Sequence, residues 1–182
     1  DGRVRIWNLF GKQLAQINSD RGGVWSVSFS PDGQRIATTG ADGSVRLWDR
    51  SGQQLDKFNS HQGQVLSVSF SPQGKSKDGL RIATAGDDGI VRLADLWDLP
   101  ISRSVARGEQ LLLKDREFWR VSLSPNSKYI ATANSNGMVR IWDESGKTLI
   151  SEFRAHQSWV LSVTFSPDGQ LIATSGNDGI VR

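Results

Sequence analysis

The sequence of 182 residues has no cysteine, one methionine, one tyrosine and only two histidines. Without cysteine there are no disulfides and no thiolate metal sites, and the chain suits a reducing compartment, so a cytoplasmic setting is the expectation. No apolar run approaches the length of about 18 residues that a membrane-spanning helix needs, and no charged-then-apolar leader opens the chain. The first residue is Asp1, which leads us to expect a piece of a longer protein. Charge of one sign is also missing. The 22 basic residues are scattered among 19 acidic ones, and the longest basic cluster is a loose one at Arg103 and Arg107. A nucleic-acid footprint needs a dense basic face, so neither nucleic acid nor membrane is expected as a partner. No glycine-rich loop has phosphate-binding spacing, and neither histidine has a second histidine near it in sequence. We expect no cofactor, no metal and no catalytic residue.

What is present is glycine, tryptophan and repetition. "FSPDGQRIATTGADGSVRLWD" begins at residue 29 and returns as "FSPQGKSKDGLRIATAGDDGIVRLAD" at 70, "LSPNSKYIATANSNGMVRIWD" at 123 and "FSPDGQLIATSGNDGIVR" at 165. The Asp or Asn before glycine falls at Asp1, Asp42, Asp88, Asn136 and Asp178, and "KSKDG" together with part of "LWDLPISRSVARGEQ" accounts for the two longer intervals. A fixed period of roughly 40 residues is the mark of a repeat architecture.

Within one unit, "VWSVSF" and "SVRLW" alternate or run apolar over strand-length stretches rich in Val, Phe and Trp, which is strand spelling. Pro31-Asp32-Gly33 presets a turn, and Asp42-Gly43 suits a two-residue hairpin whose two corners both take positive φ. "QLDKFNS" closes the unit. A four-stranded sheet of this size cannot bury either face alone, whereas radial stacking of such sheets buries both.

"DGSVRLWD" and "DGMVRIWD", with "SHQGQVLSVSFSP" and "AHQSWVLSVTFSPDG" upstream, resemble the WD-repeat (WD40) family. "GKQLAQI", "SGQQLDKF" and "SGKTLISEF" are similar to the spacers of large bacterial arrays of that family. The resemblance covers the whole chain and implies an all-β propeller. About four four-stranded blades are expected within 1–182, three whole and two partial: a partial blade at 1–19, blades at about 20–60, 61–115 and 116–155, and a partial blade at 156–182. The family closes with seven or eight blades, so we expect a larger ring, completed by missing blades or by a second copy.

The resemblance also implies a hydrogen-bonded tetrad of His, Ser or Thr, Asp and Trp in each blade, since a buried imidazole needs both nitrogens answered. The first blade offers Asp20, Thr38, Asp42 and Trp48, with Asp in the histidine's place. The second has His61, Thr84 and Asp88 but Ala94 for Trp, with Trp97 as a stand-in that strand parity disfavours. The third reads Lys114, Thr132, Asn136 and Trp142. The last has His156, Thr174 and Asp178, and Trp7 belongs to the blade before the first.

By the same resemblance, the partner-binding top face takes Gly23, Trp25 and Ala41; Gln64, Leu66 and Asp87; Glu117, Trp119 and Ser135; and Trp159, Leu161 and Asn177. Aromatic anchors inside a polar rim suit a protein interface, although the same tryptophans could simply cover the blade ends. On the bottom face, the insertions at 75–79 and 95–110 could form a docking knob with Trp97, Ile101, Arg103 and Arg107, or could be tolerated bottom loops. The function expected is a non-enzymatic scaffold or sensor module that binds proteins or peptides. The alternatives are a carbohydrate-binding propeller, or an accessory domain of a larger signalling NTPase, kinase or peptidase.

Overall fold

A computed structural model describes residues 2–19, 22–72, 80–96 and 118–182, with Phe118 described in its backbone alone. Every regular element among them is a strand, and all pairing is antiparallel between strands consecutive in the chain. The first sheet has two strands, β1 (Arg3–Trp7) and β2 (Gln13–Asn18). The second has four: β3 (Val24–Phe29), β4 (Arg35–Gly40), β5 (Ser44–Asp49) and β6 (Gln54–Asn59). The third sheet shows β7 (Val65–Phe70), β8 (Leu80–Gly86) and β9 (Val91–Leu96). The fourth runs β10 (Phe118–Leu123), β11 (Tyr129–Asn134), β12 (Met138–Asp143) and β13 (Leu149–Arg154). The last has β14 (Val160–Phe165) and β15 (Ile172–Gly176), with a third strand reduced to the single bridge Ser175–Val181.

The core lies between the sheets, because each sheet presents apolar side chains on both faces. Ala37, Val45 and Leu47 meet Val68, Phe70 and Ile82 of the next sheet. Ala83, Ala85, Val91 and Leu93 meet Val121, Leu123 and Ile130. Ala131, Ala133, Val139 and Ile141 meet Val160 and Val163, and Val4 and Ile17 of the first sheet meet Ile36 and Trp48. Serine hydroxyls tie consecutive inner strands together. Ser26 and Ser28 accept the Val68 and Phe70 N–H groups at 3.3 and 3.4 Å, and Ser67 and Ser69 accept those of Val121 and Leu123 at the same distances.

The Asp-Gly turns differ from the expected two-residue hairpin. In the first of them the Gly43 N–H bonds the Gly40 carbonyl, and of the turn pair only Gly43 has positive φ, at 76°. The turn is therefore a right-handed one ended by glycine, and Asp42 stays on the right-handed side. That conformation lets its carboxylate turn back to accept the Ser44 hydroxyl at 2.6 Å. In the Ser-Pro turns, Gly33 takes φ 66°, and at the same place Ser127 adopts φ 58°. The Ser127 hydroxyl also bonds Ser71 of the neighbouring sheet.

Candidate interaction face

Four equivalent bulges govern the rim. The register between first and second strands shifts between Val24 and Ser26, Val65 and Ser67, Phe118 and Arg120, and Val160 and Ser162. The extra residue in each case is Trp25, Leu66, Trp119 or Leu161. A bulge leaves one residue unpaired and re-aims its side chain, so these four positions share a local reason for standing apart from the ladder. Trp25 is 49% exposed and Leu161 46%, whereas Leu66 and Trp119 are half-buried.

The connecting loops are drawn together by one repeated backbone bond. The Ala41 N–H donates to the Gly23 carbonyl at 3.1 Å, Asp87 to Gln64 at 3.0 Å and Asn177 to Trp159 at 2.9 Å. These bonds place Gly23 beside Ala41, Gln64 beside Asp87, and Trp159 beside Asn177. The Trp25 ring lies over Gly23, where an added Cβ would stand 3.6 Å from it. Trp119 and Trp159, from neighbouring sheets, stack with ring centroids 4.9 Å apart and planes 22° from parallel. Ser135 is half-buried on the turn between β11 and β12. Glu117 lies outside the described residues, as do Asp20, Lys114, Trp97, Ile101, Arg103, Arg107 and the insertion at 75–79.

Beneath the rim, the turn acids organise each sheet. His61 Nδ1 lies 2.8 Å from the Asp88 carboxylate, with Arg92 Nη1 also against it, and Nε2 lies 2.9 Å from the Thr84 hydroxyl; in the tautomer with the proton on Nδ1 the ring donates to Asp88 and accepts from Thr84. His156 does the same with Asp178 at 2.8 Å and Thr174 at 2.9 Å. Both imidazole side chains are fully buried. Burial pushes the His61 pKa below its usual value against the pull of Asp88. Burial would raise Asp88, but the bonds from His61 and Arg92 outweigh it and hold the group below the ordinary carboxylate range. Asp178 is lowered to about 2: burial raises it, and the bonds from His156 and Arg182 prevail. Trp48 and Trp142 donate their indole N–H to Thr38 and Thr132 at 2.9 and 3.1 Å. In the sheet with Ala94, the Ser60 hydroxyl stands 3.0 Å from Thr84 Oγ1 and answers the oxygen that an indole reaches elsewhere.

Sequence reasoning missed the arginine four residues after each turn acid. Arg46 is 1% exposed and pairs with Asp42 at 2.6 Å, filling the partner role that histidine plays in other sheets. Arg92 and Arg182 join Asp88 and Asp178 at 2.9 and 3.0 Å. Where the turn residue is Asn136, Arg140 reaches Glu152 on β13 instead, at 2.8 Å. The signal was in plain view, since "DGxVR" or "NGxVR" recurs in every unit.

A second missed position explains the sheet that has Lys114 in the histidine's place. A Cβ on Gly86 would fall 2.3 Å from His61 Nδ1, and one on Gly176 would fall 2.3 Å from His156 Nδ1. Histidine therefore requires glycine there. The equivalent residue in the fourth sheet is Asn134, fully buried, with neither amide atom hydrogen-bonded among the described residues. Asn134 thus carries a side chain where the sheets of His61 and His156 have glycine.

Among the described residues no group of three His, Asp or Glu side chains is placed to hold a metal ion. An open cleft of about 440 Å³ beside β3 is lined by Arg3, Arg5, Trp25 and Arg120, among others. Burial lowers the Arg120 pKa, and its guanidinium donates to the Leu66 and Trp119 carbonyls at 2.8 and 3.0 Å.

Comparison with known proteins gives the same repeat. The WD domain, G-beta repeat family matches residues 11–49, 52–95, 114–143 and 147–182. The chain is 33% identical over 94 residues to Protein LST8 homolog of Drosophila melanogaster, covering 47% of this chain and 29% of that protein. It is 36% identical over 59 residues to Apoptotic protease-activating factor 1 of Homo sapiens, covering 32% of this chain and 5% of that protein. To Protein groucho of Drosophila melanogaster it is 29% identical over 87 residues, covering 48% and 12%. The chain thus spans less than a third of the length of each of these animal proteins. With four repeats matched and consecutive antiparallel sheets stacked face to face, the chain belongs to the WD40 repeat family.

Proposed function

We propose that the chain is a non-enzymatic interaction module that binds proteins or peptides through the rim formed by Trp25, Leu66, Trp119, Trp159 and Leu161. The observation that carries this reading is the bulge repeated at the head of all four inner strands, which sets an aromatic or leucine side chain at each equivalent place. Large apolar side chains ringed by Gln64, Asp87, Ser135 and Asn177 match the make-up of interface hot spots and their polar rim. The histidines support the non-enzymatic part, because both ring nitrogens of each are committed to a threonine and a carboxylate. A group so engaged has no free lone pair with which to act as a general base.

The proposal keeps a cytoplasmic setting, supported by the cysteine-free sequence, and an array of bacterial type, supported by the spacers "SGQQLDKF" and "SGKTLISEF". Service as one module of a larger protein is supported by the small share of each relative that the chain covers. Selection from a random-peptide display library, run beside a glycan array, tests the reading. We expect enriched peptides whose binding falls at least about tenfold with Trp159→Ala or Trp25→Ala, as loss of a hot-spot side chain does. Substitution of Ser145 on the opposite turn should leave binding unchanged. Binding to glycans alone, or peptide binding indifferent to both tryptophans, would overturn it.

A further inference from the structure

The turns at Asp42-Gly43, Asp88-Gly89 and Asp178-Gly179 have their equivalent at Asn136-Gly137, the only Asn-Gly pair in the sequence. All four turn side chains take one pose. An oxygen of Asp42, Asp88 and Asp178 accepts the N–H two residues on, at 3.2, 3.1 and 3.2 Å, and Asn136 Oδ1 accepts that of Met138 at 3.1 Å. The second oxygen of each acid meets the arginine four residues on, at 2.6, 2.9 and 3.0 Å. With Oδ1 so engaged, Asn136 is left with Nδ2 for that place, and an amide donor has nothing to offer a guanidinium. Arg140 lies instead against Glu152 at 2.8 Å.

The same pose prepares a reaction. The bond from Met138 folds the Asn136 side chain across the Gly137 peptide, so a five-membered ring can close between Cγ and the Gly137 nitrogen. The Met138 N–H also points at the oxygen on which charge develops when Cγ is attacked. Glycine offers no side chain to shield that nitrogen. The N–H groups of Gly43, Gly89 and Gly179 donate to the carbonyl three residues back at 3.4, 3.2 and 3.1 Å, whereas Gly137 makes no such bond among the described residues. Asn136 is exposed, so water reaches it.

We propose that Asn136-Gly137 is a self-modifying site, and that its aspartyl product draws Arg140 away from Glu152. The Gly137 nitrogen bonds to Asn136 Cγ and gives up its proton, the Cγ–Nδ2 bond breaks, and ammonia leaves a succinimide behind. Water then opens the ring. Addition at Cγ restores the main chain with a carboxylate on the side chain, and addition at the main-chain carbonyl carbon gives an isoaspartyl link. The fold favours the first product. An isoaspartyl link lengthens the main chain in a turn whose Gly137 carbonyl accepts the Ala155 and His156 N–H groups at 2.9 and 3.1 Å. The aspartyl product keeps the backbone of the other turns and supplies the oxygen that Arg46, Arg92 and Arg182 meet there.

Peptide mapping by mass spectrometry tests the site, with the folded chain and the chain in urea both aged at mildly alkaline pH. We expect amide loss at Asn136 of the folded chain before any at Asn18, Asn59, Asn126 or Asn134, which precede serine. The aspartyl share of the product should be larger than in urea. Asn136→Gln, which would have to close a larger ring, should abolish the early conversion. Urea unfolding tests the pairing. Glu152→Gln should lower the midpoint by roughly 0.2–0.5 M, the shift of a partly exposed pair, and by less when combined with Asn136→Asp. Conversion confined to the unfolded chain would overturn the proposal, as would an aspartyl share no larger than in urea. So would a Glu152→Gln effect that is the same with and without Asn136→Asp.

Discussion

Gly86 sits where the second strand of the third sheet passes His61, and alanine there has nowhere to put its methyl group. A Cβ built on Gly86 would lie 2.3 Å from His61 Nδ1, 2.6 Å from Cγ and 3.0 Å from Asp88 Oδ1. The backbone is not in the left-handed region at this position, so φ alone would favour alanine by about 0.5–1 kcal/mol. The clash reverses that sign. To make room the imidazole must leave its pocket, losing the neutral bond to Thr84, worth about 0.5–1.5 kcal/mol, and the bond to the Asp88 carboxylate, worth about 1.5–3 kcal/mol. After the backbone gain is subtracted, Gly86→Ala should destabilise by about 1–4 kcal/mol. In urea, with a slope of about 2 kcal/mol per molar, the unfolding midpoint should fall by about 0.5–2 M. The internal control is Gly40→Ala. There the nearest atoms are Asp42 Oδ1 at 3.2 Å and the Gly23 carbonyl at 3.4 Å, and the expected cost is under about 1 kcal/mol. A double-mutant cycle with His61→Ala isolates the cause, because the penalty at Gly86 should nearly vanish once the ring is gone. An equal penalty with and without His61, or none in either background, would refute the reasoning.

Other expectations follow from the same networks. Asp42→Asn leaves the buried Arg46 guanidinium without its carboxylate, and should cost about 2–3 kcal/mol by chemical unfolding, less than a fully buried pair because Asp42 is 31% exposed. Asn134→Ala removes two buried amide atoms that have no partner among the described residues, and should be neutral or stabilising by about 1 kcal/mol, where an ordinary buried Asn→Ala change destabilises. Acid should weaken the fold in two stages. The lowered His61 pKa means that the unfolded chain takes up a proton first, so this contribution is whole above about pH 6.5 and is lost as pH falls below it. The lowered Asp88 and Asp178 pKa values then remove stability as pH falls below about 4, and stability measured against pH for His61→Gln should keep the lower stage but lose much of the upper one.

Much of the scaffold could be read directly from spelling. Strands, Ser-Pro turns and the forty-odd-residue period are local properties, and a run such as "VWSVSF" has few ways to fold other than as a strand. The tetrad of the third sheet was legible because His61, Thr84 and Asp88 keep their intervals. The Asp-Gly turn was misread, because Asn-Gly and Asp-Gly are compatible with more than one turn, and the ladder on either side decides between them. The histidine-free sheets were harder. Asp20 and Lys114 look like losses in the sequence; Arg46 on a third strand takes over the partnership with Asp42, whereas Asn134, at the end of a second strand, is buried where the other sheets carry glycine.

By itself the sequence determined the unit: its four-strand order, its turns, and the mutual need of amphiphilic sheets for one another, all set by interactions within a few residues or one hairpin. Tertiary structure alone decided the partners. Which carboxylate each arginine meets, which glycine makes space for a ring and how Trp119 stacks on Trp159 all depend on distances of a few ångströms between segments remote in sequence. Hydrogen bonds and steric exclusion act over that range, and residue order does not encode it.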